Sequence, residues 1–414
     1  MRPALAPILF SRPGWVPYGA SLAFDFTRGR GWTPNSVRPA AGMLTTTRAS
    51  DAYADSNSGF WQAFTSGQPR ITDKGLLVEE ARTNSIRNNS MQGAVAGTPG
   101  TRPTNWSAFS VAGLTQTIVG VGIENGIDYI DIRFNGTSSG TAIAVNMDTT
   151  TGIAALNGQV WTPSTFIALV GGTFANVGTV VLRCNMRDAG GTSITSQETS
   201  DFKSSIGASL SRQSGTVTLN NASTAFVFPQ IIITVSDASA IDITLRIGWP
   251  QLELGAFATS PIRTTSAAAT RAADSVRLTN VPALGGTWTA FLDATAGDVS
   301  ATRQFLTGGG SDRIVYAASL NAVAAVFNGA SALSAASGSG GWLTGAKAAS
   351  AADGTGRSLV MSGGTVATDA NLQTFPANIY FGGSTTATGV TTVRRMALFP
   401  TRLTNAQLQA LTAP

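Results

Sequence analysis

Two stretches of the chain alternate apolar and polar residues with a period of two. In Asp128-Tyr-Ile-Asp-Ile-Arg-Phe134, the residues Ile130, Ile132 and Phe134 share one side and Tyr129, Asp131 and Arg133 the other. That pattern predicts a strand with one face in a core and one in water. Ile241-Asp-Ile-Thr-Leu-Arg-Ile-Gly-Trp249 repeats it, with Ile241, Ile243, Leu245, Ile247 and Trp249 inward and Asp242, Thr244 and Arg246 outward. The uninterrupted apolar run from Phe226 to Val235 predicts a strand buried on both faces, in which Pro229 requires a break, an edge or a bulge. Strands separated by turn-rich stretches from about 89 to 262 predict a β-sandwich. The Thr/Ser/Ala segment Arg263 to Ala273 reads as a linker. Beyond it at least six short strands follow closely, with a hairpin turn at Asn328-Gly329. The chain closes on a helix with a capping box, Thr404 as N-cap and Gln407 at N3, and a hydrophobic staple of Leu403 on Leu408.

Residues 1–88 differ. They are rich in Pro, Gly and Arg, and carry aromatics such as Trp15, Phe24, Phe26 and Trp32 without periodic runs. Too aromatic for a free tail and too irregular for a core of its own, this segment is expected to order against another protein or a symmetry mate. Arg2, Arg12, Arg28, Arg30, Arg38 and Arg48 stand there against one acid, Asp25, which suggests an attachment arm.

With 414 residues, two or three domains are expected. Apolar residues at 43% and charged ones at 12% exclude a disordered polyelectrolyte, and 46 glycines suit short strands and tight turns. All-β is therefore the expected class. The net charge of +5 comes from scattered arginines rather than basic runs, which argues against nucleic acid as a partner. A single cysteine, Cys184, forbids an intrachain disulfide. There is neither an 18-residue apolar run nor a signal-type h-region at the start, so no membrane insertion is expected.

The chain has no histidine. That removes Ser-His-Asp and Cys-His catalysis, histidine zinc sites and the usual neutral-pH base. No phosphate-cradling glycine motif opens a helix, and no cofactor is expected. A carboxylate pair acting on a glycosidic bond is the chemistry left. The five glutamates are Glu79, Glu80, Glu124, Glu198 and Glu253. Strand alternation separates Glu79 from Glu80 and Asp128 from Asp131. Asp312 and Asp353 lie in Gly-rich loops without the dense spacing of a calcium cage. Sugar binding asks for an aromatic platform with a few planar polar groups. The exposed candidates are Trp106, Tyr129, Trp161 and Trp342, set against the reading of each as core.

Several longer motifs carry a resemblance. Arg70-Ile-Thr-Asp-Lys-Gly-Leu-Leu-Val-Glu-Glu-Ala-Arg-Thr-Asn84, after Thr47-Arg-Ala-Ser-Asp-Ala-Tyr53, resembles the N-terminal region of bacteriophage tail fibre and head spike proteins. Pro250-Gln-Leu-Glu-Leu-Gly-Ala-Phe-Ala-Thr-Ser-Pro-Ile262 is similar to the end of the carbohydrate-binding jelly roll in those proteins. Val393 to Leu411 is similar to the last strand and helix of laminin-G or concanavalin-A-like sandwiches. The resemblance implies an attachment region over 1–88, a jelly roll over 89–262, a linker over 263–274 and a sandwich over 275–414. It also implies a virion appendage that adsorbs to host-surface glycan through many weak sites. The absence of disulfides and the low charged fraction suggest a homotrimer, and the missing histidine and thiol chemistry a protein without catalysis. Head decoration without a ligand and a polysaccharide depolymerase are the rival readings.

Overall fold

A computed structural model describes residues 12–297, 302–308, 312–317, 321–329, 331–383 and 389–414. Among the described residues the regular structure is strand, apart from three short 3-10 turns and one α-helix, so the chain is all-β. It divides into two compact units, one of Arg82–Arg271 and one built from the chain on either side of it.

In the inserted unit the alternating strands lie side by side. The strand order is Thr115–Glu124, Ile127–Thr137, Ala240–Leu254, Val160–Thr173 and Ser211–Ser214, with Val217–Thr218 paired to Val160–Thr173. A second sheet runs Ala142–Asn146, Phe226–Val235, Val177–Arg187 and Ser193–Glu198. Ile130, Ile132, Phe134, Ile243, Leu245 and Ile247 from the first sheet meet Ile143, Leu182, Cys184, Ile231 and Ile233 from the second in one core, as alternation predicts. Pro229 is neither on an edge strand nor at a bulge. Its carbonyl accepts from Met147 N–H at 3.1 Å, so its nitrogen faces the same neighbour, one residue past the last pair of that ladder, Asn146 with Gln230. The missing donor costs no ladder bond there.

The segment expected as a linker is instead part of this unit. Ala269–Arg271 pairs antiparallel with Arg82–Asn84. The buried Thr264 donates its N–H to Asn89 Oδ1 at 2.7 Å. Arg271 is buried and donates to the Thr259 and Ser260 hydroxyls. Hydroxyls of the stretch that reads as flexible tie it down too: Thr264 Oγ1 accepts from Asn89 N–H at 2.9 Å, and the Thr270 and Thr83 hydroxyls bond each other at 2.7 Å.

The other unit corrects the reading of residues 1–88 as an irregular arm. Leu22–Asp25 lies between Arg30–Thr33 and Val390–Phe399, deep within a ten-stranded sheet. Gly75–Glu79 pairs with the same C-terminal strand, and Leu44–Thr47 pairs with Ser275–Leu278 at the end of the opposing seven-stranded sheet. Phe24, Phe26, Leu76 and Val78 share one core with Trp288, Phe305, Trp342 and Leu398. Of the six expected arm arginines, Arg48 is buried; Arg12, Arg28, Arg30 and Arg38 are exposed; and Arg2 lies outside the described residues. The C-terminal helix Asn405–Thr412 has the predicted capping box, Gln407 N–H to Thr404 Oγ1 at 3.3 Å and Thr404 N–H to Gln407 Oε1 at 2.9 Å. Leu403 and Leu408 pack in one cluster. No described helix is long and apolar enough to cross a membrane.

Candidate functional site

The open face of the six-stranded sheet of the inserted unit gathers the outward residues of the two alternating strands. Asp131 stands opposite Arg246 in register. Arg246 Nε and Nη2 donate to the two Asp131 oxygens at 2.9 and 2.8 Å, and Nη1 donates to Glu124 Oε2. Next to them Arg133 Nε and Nη2 donate to the two Asp242 oxygens at 2.8 and 2.9 Å. Two bidentate arginine–carboxylate forks thus lie side by side on one sheet, the geometry in which a planar guanidinium is best held. The second fork is open to solvent, with side-chain exposures of 44% for Arg133 and 53% for Asp242.

The electrostatics follow from the contacts. The bond to Asp131, opposed by partial burial, holds the Arg246 guanidinium above its ordinary range. The bond from Arg133 holds the Asp242 carboxyl below its own. Both guanidiniums and the Asp242 carboxylate stay charged across the neutral range, and the forks act as fixed arrays of donors and acceptors. Glycine shapes the floor. Val170, Gly171, Gly172 and Thr244 line an open depression of about 460 Å³ with the four fork residues and Val119. At Gly172, φ is +71° and an added Cβ would meet the Asp242 carbonyl oxygen at 2.0 Å, so the close approach of these strands needs glycine. Val121 and Ile123, at 48% and 70% exposure, lie on the neighbouring edge strand.

The aromatic residues named from the sequence are placed otherwise. Trp106, Trp161 and Trp342 are 6%, 4% and 0% exposed, and their indole N–H groups bond to Asn88 O, Gln159 Oε1 and Val323 O. A tryptophan buried in a sandwich core offers no ring face to a sugar, so the core reading holds for these three. Tyr129 alone of the four belongs to the open sheet face. Its ring packs over Gly122 and is covered by the Arg246 guanidinium, 3.7 Å from the ring centroid. It supports the first fork rather than presenting a bare platform.

The carboxylates are also accounted for. Glu79 is buried against Arg70, Glu198 pairs with Arg183, and the buried Glu253 accepts from Thr259 N–H and Oγ1. Asp128 accepts from Trp249 Nε1 and Arg263 Nε, away from Asp131. Asp353 accepts from Thr355 within its own turn. On the open face Glu124 and Asp131 converge on the single guanidinium of Arg246; the buried Glu79 and Asp274 converge in the same way on Arg70.

No family model matches the chain, and no curated protein matches it. Among solved structures, carbohydrate-binding modules of a β-sandwich superfamily are similar at 13% identity, covering 57% of this chain and 87% of theirs, with a TM-score of 0.31. The CBM22-1 xylan-binding domain from Paenibacillus barcinonensis Xyn10C aligns at 13% identity over 44% of this chain and 98% of its own, TM-score 0.23. Trypanosoma rangeli sialidase aligns at 10% identity over 89% and 76%, TM-score 0.23. The functional argument rests on the residues of this chain.

Proposed function

We propose that the open sheet face of the inserted unit binds a hydroxyl-rich, uncharged stretch of cell-surface polysaccharide. The observation that carries this reading is the pair of neighbouring bidentate forks, Arg246 with Asp131 and Arg133 with Asp242. Each guanidinium has five N–H donors, so donors remain after each fork is made, and the carboxylates keep lone pairs. Paired donors and acceptors of fixed orientation match vicinal hydroxyls. Because each cation is neutralised by its fork, the face has no reason to prefer a charged sugar. Val119 and Val170 beside the forks offer apolar surface for the C–H face of a pyranose.

The wider role is that of a non-catalytic bacteriophage appendage, a tail fibre or head spike, assembled as a homotrimer in the virion. Its support is the resemblance of the Arg70–Asn84 and Pro250–Ile262 motifs to such proteins. Shallow sites of this kind bind weakly, and many copies on one particle supply the avidity.

Affinity electrophoresis through gels containing host capsular polysaccharide or lipopolysaccharide tests the binding. Retardation of the intact protein, reduced about tenfold in affinity by Arg133→Ala or Arg246→Ala, is expected. Unchanged retardation in both variants rejects this face as the site. Gel filtration of the polymer after incubation tests the absence of catalysis. Shortening that Glu124→Gln or Asp131→Asn abolishes would make the converging carboxylates those of a depolymerase.

A further inference from the structure

A second depression, in the other unit, has the opposite electrostatic character. It lies where the two sheets of that sandwich end, beside the edge strand Ser36–Pro39 and the 3-10 turn Ala40–Met43, and encloses about 330 Å³. That volume is at the lower end of the ~300–1,000 Å³ of small-ligand sites. Leu22 and Phe24 close its base and belong to the core. Met43, Val281 and Pro282 form half-buried apolar walls. Around them stand neutral polar groups, the hydroxyls of Thr33 and Ser36 and the amides of Asn35 and Asn280. Neither Asp nor Glu lines it. Its one charged lining residue is Arg38, which is exposed and uses Nε to donate to the Ser36 hydroxyl at 3.1 Å. Among the described residues no carboxylate pairs with Arg38.

This is a different chemical statement from the forks. Arg246 and Arg133 are neutralised where they stand, whereas Arg38 presents four further N–H donors beside hydroxyls, amides and an apolar wall. A guanidinium with free donors is matched by a carboxylate, bidentately. The neutral polar groups match sugar hydroxyls, and the apolar walls match the C–H face of a pyranose ring. We infer that this depression is a binding site for a monosaccharide carboxylate of the hexuronate class, carried free or as a residue of an acidic surface polysaccharide. The site lies wholly within one unit and shares no residue with the fork face, so either assignment can fail while the other stands.

The experiment is saturation-transfer NMR and calorimetric titration of the full chain with D-glucuronate, methyl β-D-glucopyranoside and acetate as separate probes. Glucuronate is expected to bind at least about tenfold more tightly than either of the others, since each lacks one half of the match. Arg38→Ala should remove that preference. Gly42→Phe provides a second variant: Gly42 lines the depression and a Cβ added there meets nothing within 4 Å, so a large side chain is tolerated and is expected to obstruct the site. Both variants should keep the melting temperature and circular dichroism of the parent, and Arg246→Ala should leave glucuronate binding unchanged. In Arg246→Ala, which takes the fork face out of the comparison, glucuronate no tighter than the glucoside overturns the inference, and so does acetate binding as tightly as glucuronate. Binding that survives both Arg38→Ala and Gly42→Phe places it elsewhere and overturns it equally.

Discussion

Cys184 shows what one buried side chain implies. It sits in the core of the inserted unit, fully buried, and burial pushes its thiol up to about 12. The thiolate is the reactive species, so the folded protein at pH 8 should not react with an aromatic disulfide reagent, while the denatured chain should release one equivalent. Rapid reaction of the native protein would show that this core opens easily. Asp242 gives a pH prediction. Its folded carboxyl is held low by the bond from Arg133, so the stability it contributes is present above the unfolded value of about 3.9 and is lost as pH falls through the folded value. Both partners are solvent-exposed, so the effect is small and screened by salt. The urea midpoint of Asp242→Asn should therefore fall less steeply than that of the parent between about pH 4 and 2. Identical slopes would mean that the fork makes no net contribution. Alternation alone already placed Ile130, Ile132 and Phe134 inward and Asp131 and Arg133 outward. It did not reveal that Arg246 reaches Asp131 and Glu124, because pairing across strands depends on register, which period two does not encode. Trp106, Trp161 and Trp342 were illegible for a related reason: none of the three sits in a long alternating run, so nothing in the sequence says which way the ring points.

At the scale of elements, Ile127–Thr137, Phe226–Val235, Ala240–Leu254 and the strands beyond residue 275 were legible, whereas Thr115–Glu124, Val160–Thr173, Val177–Arg187 and the short N-terminal strands were not. Leu22–Asp25 has four residues, all buried, and its neighbour Val390–Phe399 lies more than 360 residues away. No local window contains that information. The same holds for the buried ion cluster that joins this segment to the later chain. Arg48 donates to Asp274 Oδ1 at 2.8 Å, and Arg70 reaches both Asp274 and Glu79. Burial opposes the charge on Arg70, but the two carboxylates more than offset it and hold the guanidinium up. Arg70→Met leaves those carboxylates one cation short in a site that excludes water. It should cost about 3–5 kcal/mol, measured as a fall in the urea midpoint of the transition that involves residues 12–81 and 272–414. A loss well under ~1 kcal/mol would show that water reaches the carboxylates after all. The helix start was legible because a capping box is a local signal with a fixed spacing, and Thr404→Ala should cost about 1 kcal/mol there.

For the whole molecule the consequence is an insertion: the chain leaves one sandwich after Ala81, completes another, and returns at Ala272. The sequence suggested modules in series because composition changes near 88 and again near 263, while insertion shows only in which strands pair. The register fixes how the two can be separated. Arg82 is paired with Arg271 in an antiparallel ladder, which places their Cα atoms roughly 4.5–5.5 Å apart. The flanking ends Ala81 and Ala272 can then be joined by two or three glycines, since each residue spans up to ~3.5 Å. Excising 82–271 in this way should leave a folded sandwich, because Leu22–Asp25, Leu44–Thr47 and Gly75–Glu79 keep all their partners in 272–414. The excised segment should fold by itself on the core that its two sheets enclose. A chain beginning at residue 89 should behave differently, since it deletes strands from the interior of the first sandwich and removes Arg48 and Arg70 from Asp274. Denaturant unfolding followed by tryptophan fluorescence distinguishes these cases. The two separated units should each give a cooperative transition, and the chain from 89 should retain only that of the inserted unit. A cooperative transition of residues 272–414 without 12–81 would show that the N-terminal strands are a separable addendum rather than part of that sandwich.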